Sequence, residues 1–292
     1  MRARAQVAAT FTCIIMYYML ASRTRISDVG LTRSALSAAF AASRVDFAYQ
    51  PGRDIFRGLS LKERPGEFVA LLGPSGCGKS TLLNLLSGFL APDAGAVTIG
   101  GRAVTPEMPE LGYVFQAPNL FPWLSVLENV RFGLRMAGEL TPDAQRDRAR
   151  RALALVGLAD AENELPNRLS GGMQQRVSLC RALIHKPKLL LMDEPFGALD
   201  EFTRLDMNDL LLKVKAETGA SVLFVTHSIA EAIYLSDKVV VFTRRPARVS
   251  TEFEIRLPGP RSQASRFTPE FTAAERRASE ALGLLAAPAK EH

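Results

Sequence analysis

The feature that most constrains the fold of this chain is a glycine-rich segment between a short apolar run and a helical pattern. The segment reads Gly73-Pro74-Ser75-Gly76-Cys77-Gly78-Lys79-Ser80. The uninterrupted apolar run at 68–72 is typical of a buried strand, and leucines recur at helical spacing over 80–90. A buried strand that turns through glycines into a helix is a building unit of parallel α/β sheets.

This segment, 73–80, matches the G-x-x-x-x-G-K-[ST] pattern of a phosphate-binding loop. Glycines let the backbone curl so that N–H groups face phosphate oxygens, and the following helix adds its amino-terminal partial charge. We predict that Lys79 reaches the β- and γ-phosphates of ATP and that the Ser80 hydroxyl ligates Mg²⁺. Thr81 is assigned to the same nucleotide site. Cys77 is interpreted as a small tolerated side chain rather than a redox switch.

Two adjacent carboxylates follow a second apolar run, 189–192. Asp193, at the carboxyl end of a buried strand, is placed to hold Mg²⁺ directly or through water. Glu194 follows at once, where the end of the strand relaxes the alternation of side chains. We predict that it turns toward the γ-phosphate and polarises a water molecule as a general base.

The rest of the pattern predicts an α/β domain with a helical insertion. Apolar runs at 221–225 and 238–242 predict two more buried strands, and a helical pattern at 201–217 precedes them. Residues from about 118 to 185 hold no strand candidate, and three helical patterns fill them, over 125–136, 141–156 and 172–184. After Pro246 the pattern weakens, and 272–285 is predicted to be a last helix.

Composition excludes several classes of protein. The chain has 292 residues, 47% of them hydrophobic and 23% charged, as expected of an ordinary globular protein. Its net charge of +6 is concentrated in the first forty residues, so no basic stripe on the folded part indicates a nucleic-acid partner. The three cysteines are odd in number and widely spaced, which favours neither a disulfide framework nor a metal cluster and fits a reducing cytosol.

The amino-terminal segment admits several interpretations. Residues 5–22 carry no charge and are flanked by arginines, which makes the run borderline for a membrane span and similar to a secretory signal. Export would remove an ATP-dependent enzyme from its ATP, which argues against the signal. We interpret residues 1–40 as a loosely ordered extension or a mis-assigned start, with a membrane-surface anchor as the alternative.

A third motif narrows the family. The segment that carries it reads Leu169-Ser170-Gly171-Gly172-Met173-Gln174-Gln175-Arg176 and resembles the signature sequence of ABC transporter ATPases. Its Ser-Gly-Gly turn opens a predicted helix and makes a second anion site. The resemblance implies two subunits arranged head to tail around two ATP molecules. Ser170 and Gly172 of one subunit would face the γ-phosphate held by the other, and Gly171 and Gln174 are assigned to the same site.

Other positions also match that family. Gln116 resembles the glutamine that links the γ-phosphate site to the helical subdomain, and the resemblance implies catalytic and Mg²⁺-binding roles for it. Asp200 lies in a segment that resembles the D-loop, and His227 resembles the switch histidine that contacts the γ-phosphate. Tyr49 resembles the aromatic residue that stacks on adenine, with Phe47 as the alternative.

The resemblance spans residues 42–260 and implies a fold class. We expect an α/β P-loop NTPase (RecA-like) core with an amino-terminal antiparallel β region and an inserted all-helical ABC subdomain. The predicted domains are an extension at 1–40, the ATPase domain at 41–262 with its helical subdomain at about 118–185, and a tail at 263–292 with a short helix.

Three further stretches resemble the nitrate/sulfonate/taurine importer group of this family. They are Leu120–Trp123, with the sole tryptophan; Asp193–Asp200; and Arg244–Arg248. The first lies within Asn119–Val126, which resembles the stretch where a permease's cytoplasmic helix docks. The resemblance implies a second copy of the chain, separate permease subunits and, indirectly, an extracytoplasmic substrate-binding protein. It also implies a peripheral position on the cytoplasmic face of the inner membrane. Trp123 either lines the groove in which the permease docks or packs in the core.

Competing functions remain open to different degrees. An ABC subunit that drives export or lipid extraction has the same cassette chemistry, so it stays as the main alternative. DNA-repair members of the family carry a very long insertion between the positions of Gln116 and Ser170, which are close in this chain. A P-loop kinase is disfavoured by the signature segment and by His227.

Overall fold

A computed structural model describes residues 38–285, except Glu107, Pro109 and Glu139. Nearly all of the predicted extension, and residues 286–292 of the predicted tail, therefore lie outside the described residues. The strands are β1 Phe40–Ala48, β2 Asp54–Glu63, β3 Phe68–Leu72, β4 Ala94–Ile99, β5 Arg102–Ala103, β6 Leu111–Val114, β7 Leu189–Asp193, β8 Ser221–Val225, β9 Lys238–Phe242 and β10 Val249–Glu254. The α-helices are α1 Lys79–Leu86, α2 Val126–Ala137, α3 Pro142–Leu155, α4 Gly171–Leu183, α5 Glu201–Thr218, α6 Ile229–Leu235 and α7 Pro269–Ala281. Short 3₁₀ turns lie at Ala159–Ala161, Pro166–Arg168 and Gln263–Phe267.

The larger sheet has the strand order β10-β9-β3-β8-β7-β6. Its strands from β9 to β6 are parallel, and β10 pairs antiparallel with β9 at one edge. The parallel strands are apolar along nearly their whole length because helices and a second sheet cover both of their faces. Their carboxyl ends meet at one edge, which is where α/β sheets bind ligands.

The smaller sheet is antiparallel, in the order β2-β1-β4-β5. Helix α1 lies between the two sheets and contacts β4 of one and β7 of the other. Alternate residues of each parallel strand serve opposite faces: Val69 and Leu71 pack toward α1, whereas Phe68 and Ala70 pack toward α5, α6 and α7.

A separate core holds the inserted helices together. Buried residues of α2, α3 and α4, among them Val130, Leu153 and Val177, form one apolar cluster. The side chain of the buried Asn129 bonds to backbone atoms of Phe121, Leu124 and Ser125 and fixes the segment that leads into α2. The α/β core with an antiparallel sheet and a helical subdomain confirms the predicted fold class.

Several predicted boundaries were wrong for local reasons. The helix predicted over 80–90 ends at Leu86, and Gly88 adopts a left-handed conformation (φ 75°) just beyond it. The turn predicted around Gly95 belongs to β4, where a side chain would collide with the carbonyl oxygen of Arg44, 2.3 Å from its Cβ. The last helix begins at Pro269, capped by Thr268, and ends at Ala281. Strand β10 was missed because two of its three exposed residues, Glu252 and Glu254, carry charge.

Among the described residues, no helix combines the length and apolar character that a bilayer crossing requires.

Candidate active site

The phosphate loop occupies the turn between β3 and α1. Gly76 and Gly78 have φ angles of 73° and 122°, which L-residues with side chains rarely adopt. A Cβ atom on Gly78 would lie 2.6 Å from Cγ2 of Ile55, so strand β2 backs the loop directly. Inside the loop, the Cys77 amide donates to the carbonyl of Pro74 at 3.2 Å. Burial raises the pKa of the Cys77 thiol, as expected of a packed side chain.

Lys79 is buried and its ammonium group points into the loop. Its Nζ donates to the carbonyl oxygens of Gly73 at 2.7 Å and Pro74 at 3.2 Å. A buried cation held by backbone carbonyls at the mouth of a helix is a binding point for an anion. Its place in the structure is compatible with the predicted phosphate contact, which remains a prediction.

Ser80 and Asp193 meet across the site. The hydroxyl of Ser80 donates to Oδ1 of Asp193 at 3.1 Å, and so joins the start of α1 to the end of β7. Burial raises the pKa of Asp193, the Ser80 hydrogen bond lowers it, and the neighbouring Glu194 raises it. Hydroxyl and carboxylate oxygens are the ligands that Mg²⁺ prefers, so this pair fits such an ion.

Glu194 and His227 form a second pair of polar residues at the same edge. Glu194 has a φ of 45°, and its amide donates to the carbonyl of Val225 at 2.9 Å. Its Oε2 lies 3.2 Å from Nδ1 of His227, whose side chain is 65% exposed. The backbone turn at Glu194 therefore directs this carboxylate toward solvent and toward the histidine.

The turn that carries His227 is held by hydrogen bonds of the residues on either side of it. The buried hydroxyl of Thr226 donates to Glu231 at 2.6 Å and accepts from the Ser228 amide at 3.0 Å. Burial raises the pKa of Glu231, and the Thr226 hydrogen bond lowers it. These contacts order the start of α6 and hold the backbone on both sides of His227.

Gln116 follows β6, at the same edge of the sheet as Glu194 and His227. A Cβ atom on Gly197 would lie 3.7 Å from Cε1 of His227 and 3.9 Å from Nε2 of Gln116. Gln116 is therefore close to the Glu194–His227 pair. The structure gives this side chain no contact with Ser80 or Asp193 among the described residues, so its role as an Mg²⁺ ligand remains a prediction.

The signature segment caps helix α4. The Ser170 hydroxyl accepts from the Met173 amide at 3.3 Å, and Gly171 lies beside Leu199. A Cβ atom on Gly172 would lie 2.5 Å from Cγ2 of Thr203, so a side chain at this position would have to displace Thr203 of α5. The first turn of α4 is therefore packed against Leu199, just before α5, and against the first turn of α5.

Two of the predicted nucleotide-site residues make internal hydrogen bonds. The Gln174 amide donates to the carbonyls of Pro166 at 3.1 Å and Leu169 at 3.2 Å. The carboxylate of Asp200 caps α5 by accepting from the backbone and hydroxyl of Thr203 at 3.0 and 2.7 Å. The Thr203 bonds lower the pKa of Asp200. Both side chains stabilise local structure through these hydrogen bonds, and their contacts with nucleotide remain predictions.

The two candidates for adenine stacking differ in exposure. Tyr49 is 57% exposed, and its hydroxyl lies 3.3 Å from that of Thr81, next to the phosphate loop. Phe47 is 7% exposed and meets the Tyr49 ring edge-on at 5.0 Å between centroids. A ring must be accessible to stack on a base, so the geometry favours Tyr49 over Phe47.

Sequence reasoning missed three side chains that connect parts of this site. Arg245, in the turn after β9, donates through Nε to the carbonyl of Gly76 in the phosphate loop. Gln175 of α4 donates to the carbonyl of Phe115 at 3.3 Å, immediately before Gln116. Arg181 of the same helix donates to the carbonyls of Pro118 and Asn119. Arg245 lies in one of the stretches used to identify the family group, but nothing local in that sequence indicated its contact.

A glycine-rich loop after the central strand β3, carboxylates at the end of β7 and a histidine after β8 together are the arrangement of a P-loop nucleotide-binding protein, here with an inserted helical subdomain. The family model described as "ABC transporter" matches residues 56–197. The chain belongs to this family, as one of its ATP-binding ATPase subunits.

Similar proteins include named importers. The taurine import ATP-binding protein TauB of Chromobacterium violaceum is 48% identical over 248 residues, covering 81% of this chain and 92% of that protein. The aliphatic sulfonates import ATP-binding protein SsuB 1 of Xanthomonas axonopodis pv. citri is 46% identical, covering 72% and 84%. These likenesses confirm the resemblance to the taurine and sulfonate branch.

Solved structures give the same fold. A dimeric ATP-binding cassette in a post-hydrolysis state, bound to ADP and phosphate, matches with a TM-score of 0.65 and 33% identity, covering 74% of this chain and 99% of that one. A subunit of the cbiONQ ABC transporter complex from Clostridium perfringens matches with a TM-score of 0.69 and 25% identity, covering 85% and 97%.

Proposed function

We propose that this chain energises an importer of small anions, of the class that includes taurine, alkanesulfonates and nitrate. The observation that carries the proposal is the 48% identity to a taurine import ATP-binding protein across 92% of that protein's length. In this proposal the subunit is peripheral, on the cytoplasmic face of the inner membrane. A separate permease crosses the bilayer, and an extracytoplasmic protein delivers the anion.

The working form is proposed to be a head-to-tail homodimer. Support comes from the similar cassette that was solved as a dimer with ADP and phosphate. In such a dimer Ser170 and Gly172 at the start of α4 face the γ-phosphate on the partner's phosphate loop. The first turn of α4 offers unpaired backbone amides and a positive dipole end to that anion.

Within one subunit, the phosphate loop binds the nucleotide. Lys79 exchanges its contacts with Gly73 and Pro74 for oxygens of the β- and γ-phosphates, which carry full negative charge. The exposed ring of Tyr49 stacks on adenine. Ser80 and Asp193, with Gln116, are the residues that would hold Mg²⁺; when bound, the ion neutralises phosphate charge.

Hydrolysis is proposed to depend on Glu194. Its carboxylate accepts a proton from water as the water oxygen bonds to the γ-phosphorus, and the bond from phosphorus to the bridging oxygen breaks, leaving ADP and phosphate. His227 supports Glu194 from the neighbouring strand through the 3.2 Å contact and donates to the transferred phosphoryl group. Gln116 approaches the same centre from the end of β6.

The segment after Gln116 is proposed to bind the permease. Trp123 is 67% exposed on this segment, beside the buried Phe121 at 5.7 Å between ring centroids. Gln175 and Arg181 tie α4, the helix that starts at the signature segment, to the backbone on both sides of Gln116. A shift of α4 upon dimer closure would therefore move the proposed docking surface around Trp123.

The test uses tagged Glu194→Gln protein, which we expect to retain ATP. Native membranes are solubilised in mild detergent with ATP, and the copurifying chains are identified by mass spectrometry. We expect an importer-type permease, and its associated binding protein should bind taurine, an alkanesulfonate or nitrate in calorimetry. Copurification of a soluble complex with no membrane protein would refute the transport role and leave the ATPase assignment intact.

A further inference from the structure

The turn between β9 and β10, residues 243–248, is held rigidly beside the phosphate loop. The Thr243 amide donates to the carbonyl of Arg248 at 3.0 Å, and the Arg248 amide donates to the Thr243 hydroxyl at 3.0 Å. On its other side the buried Ala247 donates to the carbonyl of Ile55 at 2.8 Å. The turn is therefore closed by hydrogen bonds between its own residues and is hydrogen-bonded to strand β2.

Strand β2 also backs the phosphate loop. The side chains of Ile55 and Phe56 would lie 2.6 and 3.1 Å from a Cβ atom on Gly78. On the same side, Cβ of Phe242, at the end of β9, would lie 3.1 Å from a Cβ atom on Gly73. The turn and the loop therefore share one rigid support, so a side chain from the turn can reach the loop in a fixed geometry.

Arg245 is the side chain that makes this connection. Its Nε donates to the carbonyl oxygen of Gly76, and its Nη2 would lie 3.8 Å from a Cβ atom on that glycine. The bond joins a charged donor to a backbone carbonyl of the phosphate loop. Charge-assisted hydrogen bonds of this kind are stronger than those between neutral groups.

The Gly76 carbonyl and the Cys77 N–H belong to the same peptide group. A trans peptide places its C=O and N–H on opposite sides, so fixing the Gly76 carbonyl toward Arg245 directs the Cys77 N–H into the loop. That amide donates to the carbonyl of Pro74 at 3.2 Å, a hydrogen bond within the loop. A flip of the Gly76–Cys77 peptide would break that bond and turn the Gly76 carbonyl into the loop, where it would repel phosphate oxygens.

We propose that Arg245 is a positioning residue for nucleotide binding, which holds the Gly76 carbonyl turned away from the phosphates. Arg245 acts through the backbone of the loop. It lies in the turn after β9, which follows β7 and β8 in the chain. The proposal rests on the proposed function of residues 73–80 as the phosphate site. It assigns no contact between Arg245 and the nucleotide.

The test compares Arg245→Met, which keeps the length but removes the donor and charge, with Arg245→Lys, which keeps a charged donor. Dissociation constants for ADP and a slowly hydrolysed ATP analogue are measured by calorimetry on the full chain, and that for adenosine by competition. We expect Arg245→Met to weaken both nucleotides about tenfold and Arg245→Lys by less than about threefold, because one charged hydrogen bond is lost in the first variant alone. Adenosine affinity, the rate at saturating ATP and the melting temperature should stay near wild type.

The control variants separate this proposal from the assignment of the phosphate site. Arg244→Ala, from the same turn, should bind nucleotides as wild type does, and Lys79→Ala should lose nucleotide affinity. Wild-type ADP binding by Arg245→Met, or an equal loss of adenosine and ADP affinity, would overturn the role of Arg245 alone. Wild-type ATP binding by Lys79→Ala would overturn the phosphate site and, with it, the role of Arg245.

Discussion

Oε2 of Glu194 lies 3.2 Å from Nδ1 of His227, and this contact joins the ends of the neighbouring strands β7 and β8. The two residues reach each other because Glu194 leaves its strand with a left-handed φ of 45°. In an ordinary extended conformation successive side chains would alternate across the sheet. Asp193, the last residue of β7, faces Ser80, and the backbone turn at Glu194 directs the next carboxylate to His227.

Replacement of Glu194 by Gln should stop turnover while preserving nucleotide binding. A general base contributes about 10²–10⁴-fold in rate, and an amide of the same shape cannot accept the proton. Phosphate release should fall by that factor, and size-exclusion chromatography with MgATP should detect a stable dimer. Glu201→Gln, at the exposed start of α5, is the control and should leave turnover unchanged. Wild-type turnover in Glu194→Gln would show that Glu194 is not the general base.

Replacement of His227 by Ala should lower turnover more than affinity. The histidine supports Glu194 from β8, and we expect kcat to fall by about 10²-fold, at the lower end of acid–base contributions. The change should leave the melting temperature nearly unchanged because the ring is 65% exposed. Steady-state kinetics with ATP provide the measurement. A large increase in KM at constant kcat would contradict the proposed support of Glu194.

Trp123→Ala should separate ATP hydrolysis from permease binding. Trp123 is 67% exposed, so loss of its ring should change the stability of the isolated subunit by less than about 0.5 kcal/mol. Exposed tryptophans often supply most of the energy of an interface, and copurification of the permease should fall at least about tenfold. Phe267→Ala, at an aromatic ring that is 88% exposed elsewhere, serves as the control. Equal copurification by Trp123→Ala and wild type would exclude the proposed docking surface.

Stability should depend on pH through Glu63. Its side chain is 1% exposed, and burial raises its pKa from 4.5 to about 7, although an ion pair with Lys238 at 2.6 Å opposes the rise. The raised pKa contributes stability that is full below pH 4.5 and is lost as pH increases through about 7.

The corresponding variant is Glu63→Gln, a neutral side chain of the same size. Between pH 5 and 8.5 the wild type should lose on the order of 2–3 kcal/mol relative to the variant. Melting temperatures of both proteins across this range measure the difference. Parallel pH profiles would show that Glu63 does not titrate in this interval.

The accuracy of the sequence predictions followed the length of each apolar run. Strands β3, β8 and β9 were predicted at their observed bounds because each is an unbroken buried run closed by polar or glycine residues. Strand β10 was missed because only Phe253 of its six residues is fully buried, and β9 provides its backbone partners. Its formation depends on that neighbour rather than on its own side chains.

The candidate site also has a part that the sequence predicted and a part that it could not predict. The phosphate loop, the Asp193–Glu194 pair and the signature segment were recognised from consecutive residues, since their chemistry depends on local backbone shape. Their roles in catalysis and Mg²⁺ binding remain predictions. The exposed fractions of the side chains favour Tyr49 over Phe47 as the ring that stacks on adenine, and they exclude core packing as the role of Trp123. The sequence could not give these fractions, because the burial of a side chain depends on the neighbouring elements.

The sequence by itself determined the order of the buried strands β3, β7, β8 and β9 along the chain and the chemical groups at the carboxyl ends of β3, β7 and β8. Tertiary structure alone decided which of these groups meet. Ser80 bonds to Asp193, Glu194 contacts His227, and Arg245 holds Gly76, although the members of each pair lie far apart in the chain. Parallel pairing places the carboxyl ends of β3, β7 and β8 at one edge, and the β9–β10 turn joins them because β9 pairs with β3. Those contacts depend on strand order and register, which backbone hydrogen bonds and burial of both sheet faces fix only when the whole domain is assembled.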